Sequence, residues 1–83
     1  PNPFSGDTTI QYDLVDENAV DIYIYNSVGK LIRKIDEGSK AAGSYSVVWD
    51  GRSDDGDRVS SGVYFYQIQT KDFNKTMKML FVK

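Results

Sequence analysis

The fold is decided by a stretch in the second half of the chain, residues 45–69, which reads YSVVWDGRSDDGDRVSSGVYFYQIQ. At both of its ends large apolar or aromatic side chains alternate with mostly polar ones, which is the period-2 pattern of a β-strand with one buried face. The inward sets that this alternation predicts are Tyr45, Val47 and Trp49 on the first strand, and Tyr64, Tyr66 and Ile68 on the second. The stretch therefore predicts two strands joined by a polar connection.

The connection, residues 50–59, carries four aspartates and is called the aspartate loop below. An EF-hand calcium loop needs oxygen ligands at alternate positions and a Glu near its end, but here the third position is Arg52 and no Glu follows at that spacing. The Asp-Gly pairs at residues 50–51 and 55–56 are turn dipeptides. We predict two tight turns without a metal ion, with Arg52 and Arg58 offsetting the aspartates.

The same alternation recurs along the rest of the chain, and no window of helical length keeps apolar residues at helical spacing. The further strands that it predicts are Ile10–Leu14, Val20–Ile24, a shorter Leu31–Ile35 and Met77–Val82, with Arg58–Ser60 as a further edge strand. On the last long strand, which we expect to be a terminal edge strand, Met77, Met79 and Phe81 are expected to point inward and Lys78 outward. Turn compositions such as Glu37-Gly38 separate these runs. The chain is thus expected to be all-β, an antiparallel sandwich of about seven strands.

Composition narrows the class of protein further. The 83 residues make one domain, and 11 aromatic residues (six Tyr, four Phe and one Trp) supply the bulk that so small a core needs. A net charge of −2 gives no electrostatic reason to bind nucleic acid. No run of about 18 apolar residues is present, so we expect no direct insertion into a membrane.

The chain contains neither cysteine nor histidine. Disulfides, thiolate nucleophiles, Cys/His zinc sites and the usual general base are therefore absent. The hydroxyls of Ser60 and Ser61 have no base to activate them, and Asp54 and Asp55 lie in a turn composition without an apolar pocket, where solvated carboxylates are the rule. We expect no enzymatic activity and no cofactor.

Two tyrosines fall on the outer side of their predicted strand. Tyr23 and Tyr25 alternate with Val20, Ile22 and Ile24, so they face away from the expected core. Aromatic rings in such a place can stack on sugars, although they more commonly pack beneath a neighbouring loop. Both interpretations stay open at this point.

Five motifs follow one another in an order and spacing that resemble a known family. They are Pro1-Asn2-Pro3-Phe4, Thr8-Thr9-Ile10, Ile24-Tyr25-Asn26-x-x-Gly29, Val48-Trp49-Asp50-Gly51-Arg52 and Ser61-Gly62-Val63-Tyr64-Phe65-Tyr66. The chain resembles the type A C-terminal sorting domain of proteins exported by the type IX secretion system of Bacteroidetes. It is also similar to the related immunoglobulin-like domain of flagellar hook-capping proteins.

The resemblance implies an immunoglobulin-like sandwich at the end of a secreted protein, reaching the medium or the cell surface through the periplasm. It implies a non-catalytic signal whose partners are the outer-membrane translocon, a cell-surface sortase and the N-terminal cargo domains. The recognition residues that it implies are Gly62, Tyr64, Tyr66, Lys75, Lys78 and Lys83.

Two other functions are compatible with the sequence. The first is a structural immunoglobulin-like module, such as a spacer or a hook-cap-like domain that contacts another protein. The second is a carbohydrate-binding appendage, for which an exposed aromatic row on one face would be the distinguishing feature. Since the chain begins at Pro1 without Met, we expect residues 1–83 to be one domain cut from a longer protein.

Overall fold

The computed structural model describes residues 6–82, which form six antiparallel strands. They are β1 (Thr8–Leu14), β2 (Asn18–Asn26), β3 (Leu31–Lys40), β4 (Gly43–Trp49), β5 (Gly62–Gln69) and β6 (Asn74–Phe81). Within this described part there is no helix long and apolar enough to cross a bilayer. The all-β prediction is confirmed, while the Pro1–Ser5 motif lies outside the described residues.

The strands form two sheets that pack face to face. One sheet has four strands in the order β3-β2-β5-β6, and the other has the two strands β1 and β4. Every pairing is antiparallel, as the immunoglobulin-like prediction requires. The strand count is six, not seven, among residues 6–82, because the edge strand predicted at Arg58–Ser60 is reduced to an isolated bridge between Arg58 and Arg52.

The core lies between the two sheets and follows the predicted alternation. Trp49 is fully buried, its ring 5.9 Å from that of Tyr64 in an edge-to-face contact, and Tyr64 makes a similar contact of 6.5 Å with Phe81. Such pairs add about 0.5–1.5 kcal/mol beyond the area that they bury. Ile68 is buried too, and Tyr66 is half-buried against the core. The predicted inward phases of β4 and β5 are therefore correct.

The prediction of the core is wrong for one residue, Met77. Met77 has the same phase on β6 as Met79 and Phe81, but it is 42% exposed. A two-stranded sheet is narrower than the four-stranded sheet that it covers, so this part of the inner face of β6 stays open to solvent.

The predicted turn at Glu37-Gly38 is also wrong, because β3 continues through it to Lys40. The register against β2 shifts by one residue beside Val20, which is the signature of a β-bulge. Gly38 takes a φ of +73°, and its N–H donates to Oδ1 of Asp36 at 2.9 Å. The chain bends here without reversing, which makes β3 twice as long as the predicted strand.

A buried tyrosine connects the two sheets near this bulge. The hydroxyl of Tyr12 on β1 donates to Oε1 of Glu37 on β3 at 2.7 Å. Burial, and then the bond to this carboxylate, raise the pKa of Tyr12 well above its ordinary value. The phenol therefore stays protonated and keeps its role as a donor at neutral pH.

Candidate recognition surface

The two edges of the four-stranded sheet differ. The edge at β3 is covered by the aspartate loop at residues 32–34, since the N–H of Asp54 donates to the Ile32 carbonyl at 3.0 Å and Oδ1 of Asp54 accepts from the Lys34 N–H at 3.2 Å. At the opposite edge, no strand within residues 6–82 pairs with the outer side of β6 along residues 74–79. An open edge offers backbone N–H and C=O groups to another chain, so β6 is the exposed pairing surface of this sheet.

The lysines implied by the resemblance lie on both sides of this edge. Lys78 is in register with Phe65 and is exposed on the outer face of the sheet, as predicted. Lys75 is in register with Ile68 on the inner face, where it lines a cleft of about 660 Å³ at the mouth of the sandwich. Lys83 lies outside the described residues. The structure thus places two of the three candidate lysines on one strand, but on opposite faces.

The other candidate residues belong to β5, the strand that supports β6. Tyr64 is buried, and its hydroxyl donates to the Ser60 carbonyl at 2.7 Å. Tyr66 is half-buried, and burial raises the pKa of its hydroxyl. Gly62 is the first residue of the strand. We therefore expect Tyr64 and Tyr66 to affect recognition through the stability of β5, and their role stays a prediction.

The aspartate loop consists of turns closed by its own backbone, as predicted. The Gly56 N–H donates to the Ser53 carbonyl at 3.0 Å, and the Ser53 N–H donates to the Asp57 carbonyl at 2.9 Å. Oδ1 of Asp50 accepts from the Arg52 N–H at 3.1 Å, which is the local bond typical of an Asx turn. These bonds account for the Asp-Gly composition of the segment.

The positive charge that faces this loop comes from a residue that sequence reasoning missed. On β3, Arg33 places Nη1 3.6 Å from Oδ1 of Asp50 and Nε 3.7 Å from Oδ1 of Asp54. Its Nη1 also donates to the Arg52 carbonyl at 3.3 Å. Arg33 thereby fixes the loop against the edge of the sheet, although each exposed pair adds only about 0–1 kcal/mol.

The predicted partnership of Arg52 and Arg58 with the aspartates is accordingly wrong. Nη1 of Arg52 donates to the Gly56 carbonyl at 2.9 Å and so stabilises the turn. The guanidinium of Arg58 lies 5.9 Å from the ring centroid of Phe81. Both arginines are adjacent to the acidic residues in sequence, but the turns direct their side chains elsewhere.

The carboxylates of the loop are spread out. Among residues 6–82, no group of three or more acidic side chains lies close enough together to hold a metal ion. Oxygens of Asp50 and Asp54 are engaged by backbone N–H groups and by Arg33, whose charge opposes a cation at the same place. The aspartates of the loop are therefore arranged as in a structural turn.

We expect the melting temperature to be the same in excess calcium and in chelator. A ligand that binds only the native state at about 100 times its Kd would add about 2.7 kcal/mol, which thermal unfolding detects easily. The measurement is a pair of thermal melts followed by circular dichroism, with magnesium as the control ion. A rise specific to calcium would identify Asp50, Asp54, Asp55 and Asp57 as ligands and refute the turn interpretation.

The fold and this surface define an immunoglobulin-like β-sandwich domain whose four-stranded sheet has one partly capped edge and one open edge. The chain belongs to the FlgD Ig-like domain family, whose sequence profile matches residues 3–73. A search of the curated proteins finds no match.

Solved structures of FlgD proteins are similar to the chain. FlgD from P. aeruginosa is 28% identical and superposes with a TM-score of 0.73. The alignment covers 89% of this chain and 57% of that FlgD. FlgD from Xanthomonas campestris, whose structure is linked to the hook capping essential for flagellar assembly, is 21% identical and has a TM-score of 0.73. The alignment covers 95% of this chain and 58% of that FlgD. The chain therefore spans little more than half the length of these two proteins.

Two proteins of Porphyromonas gingivalis share the fold as well. Latent PorU is 20% identical and has a TM-score of 0.76, with 99% of this chain and 9% of PorU aligned. PorZ, described as an essential surface component of the type IX secretion system, is 21% identical and has a TM-score of 0.67. The alignment covers 100% of this chain and 11% of PorZ. In both proteins the matching region is a small part of a much longer chain.

Proposed function

We propose that this domain is a non-catalytic C-terminal sorting domain that the outer-membrane translocon of a type IX secretion system recognises. The observation that carries the proposal is the asymmetry of the four-stranded sheet. One edge is covered at residues 32–34 by the aspartate loop, which Arg33 holds, whereas β6 at the other edge is open along residues 74–79 and carries Lys75 and Lys78.

An open strand of this kind suits recognition by another protein. A receptor strand can pair with the backbone of β6, which provides affinity, while pockets for alternate side chains provide specificity. The lysines on the two faces would then contact acidic groups on both sides of the added strand. Lysines on an edge also discourage aggregation, so their charge has to be tested separately from the fold.

The comparisons support an extracytoplasmic role for the domain. PorU and PorZ match nearly the entire chain, including β6, and PorZ is a surface component of the secretion system. The family profile ends at residue 73, immediately before β6 begins at Asn74, but FlgD from Xanthomonas campestris aligns with 95% of the chain and therefore extends into β6 as well. The strand that carries the proposed signal thus lies outside the sequence profile, although the FlgD fold includes a strand at this place. We propose that the domain reaches the cell surface or the medium through the periplasm. Its proposed partners are the translocon, a cell-surface sortase and N-terminal cargo domains, and we propose that it uses no cofactor.

A structural module similar to the hook-cap domain is the second candidate. The family match and the 28% identity to FlgD from P. aeruginosa favour it. Such a module would contact a neighbouring protein or domain and would carry no export information. The two candidates differ in one measurable property, which is whether the domain exports a passenger.

We expect the double variant Lys78→Ser and Lys83→Ser to reduce export of a fused passenger at least about tenfold, because two charge-assisted contacts of about 1.5–3 kcal/mol each are lost. The matched control is Lys30→Ser with Lys71→Ser, which removes the same charge from exposed turns outside β6. The measurement is the secreted fraction of the passenger in a type IX-competent host, with folding checked by thermal melting.

Export of the folded β6 variant at the wild-type level would show that the lysines are not recognised. An equal loss in both double variants would assign the effect to net charge in general. Either result would contradict the proposed role of Lys78 and Lys83.

A further inference from the structure

The outer face of the four-stranded sheet carries three aromatic rings that take no part in the core. Tyr23 and Tyr25 lie on β2, and Phe65 lies on β5 directly opposite Tyr25 in the register. All three rings are half-buried. They cover the side of the sheet that faces away from β1 and β4, since they alternate with the buried residues of the same strands.

The two tyrosines differ in what surrounds them. Their rings are nearly parallel, with centroids 6.5 Å apart and an angle of 26° between the planes. Nζ of Lys34 lies 5.8 Å from the ring centroid of Tyr23, so the face of this ring already makes a cation–π contact. Tyr25 instead adjoins a hollow of about 310 Å³ that continues across Phe65.

The hollow combines an aromatic floor with a polar rim. Its floor is formed by Tyr25 and Phe65, and its rim carries amide and hydroxyl groups from Asn26, Ser27, Gln67 and Thr76. No charged side chain is among the described residues that line it, although Lys78 lies in register with Phe65 on the same face. A cationic ligand would therefore lose hydration without gaining a counter-charge, which disfavours amine ligands.

The rim is held in place before any ligand arrives. Oδ1 of Asn26 accepts from the N–H groups of Val28 and Lys30 at 3.1 and 2.9 Å, which leaves its Nδ2 group to donate. Oγ1 of Thr76 accepts from Nε2 of Gln67 at 3.4 Å, so the threonine hydroxyl keeps its hydrogen for another acceptor. Donors that are already oriented lose less conformational entropy when a ligand binds.

We propose that Tyr25 and Phe65 form a platform that binds a neutral pyranose unit of a glycan, with Asn26 and Thr76 donating to its hydroxyl groups. A pyranose presents an apolar C–H face, which stacks on an aromatic ring, and a rim of hydroxyls, which matches the polar border of the hollow. This site lies on the outer face of the sheet, and binding there does not depend on the proposed sorting role.

The test uses the 83-residue chain and four neutral hexasaccharides: cellohexaose, xylohexaose, mannohexaose and maltohexaose. We expect at least one of them to shift the backbone amide NMR signals around Tyr25, Phe65 and Thr76. In Tyr25→Leu we expect the affinity for that sugar to fall about 3- to 12-fold, the equivalent of one aromatic contact. Tyr23→Leu, on the same strand and face, is the matched control and should change the affinity less than about twofold.

Several results would overturn the inference. No shift at these amides with any of the four sugars at millimolar concentration would exclude the platform. Equal losses in Tyr23→Leu and Tyr25→Leu would show that Tyr25 has no special role. Tighter binding of anionic hexagalacturonate than of any neutral sugar would show that Lys78 selects an anionic ligand, and the neutral assignment would be wrong. If no sugar binds but Tyr25→Leu impairs export of a passenger, this face contacts a protein and the glycan assignment is wrong.

Discussion

Trp49→Ala is expected to lower the free energy of unfolding by about 3–5 kcal/mol, the usual cost of removing a large aromatic side chain from a core. Trp49 has no exposed surface, its ring packs on Tyr64, and its Nε1 donates to the Arg52 carbonyl at 2.9 Å. Small domains are stable by only about 5–15 kcal/mol, so the variant should melt far below wild type or fail to fold. Urea unfolding followed by circular dichroism measures the difference.

Val48→Ala provides the matched control on the same strand. Val48 precedes Trp49 but points to the opposite face and is 58% exposed. Its truncation should change stability by no more than about 0.5 kcal/mol, as is usual for surface positions. A similar loss in both variants would mean that β4 does not bury the face that contains Trp49.

Gly51→Ala is expected to cost about 2–4 kcal/mol, for two separable reasons. Gly51 has a φ of +75°, a left-handed conformation that disfavours any residue with a Cβ atom. A Cβ atom at this position would also lie 2.9 Å from the backbone carbonyl oxygen of Gly6 and 3.5 Å from the Phe81 ring. Because the close neighbour is backbone, the residues before β1 would have to move.

Gly56→Ala separates the two causes. Gly56 lies in the same loop with a φ of +92°, but a Cβ atom there would meet nothing within 4 Å. This variant carries only the conformational cost of about 1–2 kcal/mol, and the remainder of the Gly51 effect measures the clash. Equal losses in the two variants, determined by urea unfolding, would contradict the tight packing of Gly51 against Gly6.

The features that could be predicted from sequence are those that local periodicity determines. Alternation in residues 45–49 and 64–68 requires one buried face per strand, and the large rings of Trp49 and Tyr64 can only be accommodated on that face. The Asp-Gly dipeptides indicated turns because glycine supplies a positive φ. These parts of the fold depend on residues adjacent in the chain, and the structure confirms them.

The features that could not be predicted depend on residues distant in the chain. Gly38 has the positive φ that both a turn and a bulge require, and only pairing with β2 makes it a bulge. Met77 keeps the correct phase, but its exposure depends on the width of the opposite sheet. Arg33 carried no local signal, because its partners are 17 and 21 residues further along (50 − 33 and 54 − 33).

The candidate recognition surface illustrates the same division. The phase of β6 predicts that Lys78 faces outward, and this is correct. The prediction that this terminal strand lies at an edge is correct too, whereas the cover of β3 at residues 32–34 by the aspartate loop follows from tertiary pairing. Sequence thus identified the lysine-bearing edge strand, and the structure identified where the opposite edge is covered.

The measurement that tests the sorting function most directly is the export of one passenger fused to either of two related domains. The first fusion carries the present 83-residue domain, and the second carries the matching region of FlgD from P. aeruginosa, which has a similar fold at 28% identity. The secreted fraction is compared in a type IX-competent host and in the same host without its translocon. We expect export only for the first fusion and only in the competent host. If the intact, folded domain leaves its passenger in the periplasm of the competent host, the sorting function is refuted and the structural module takes its place.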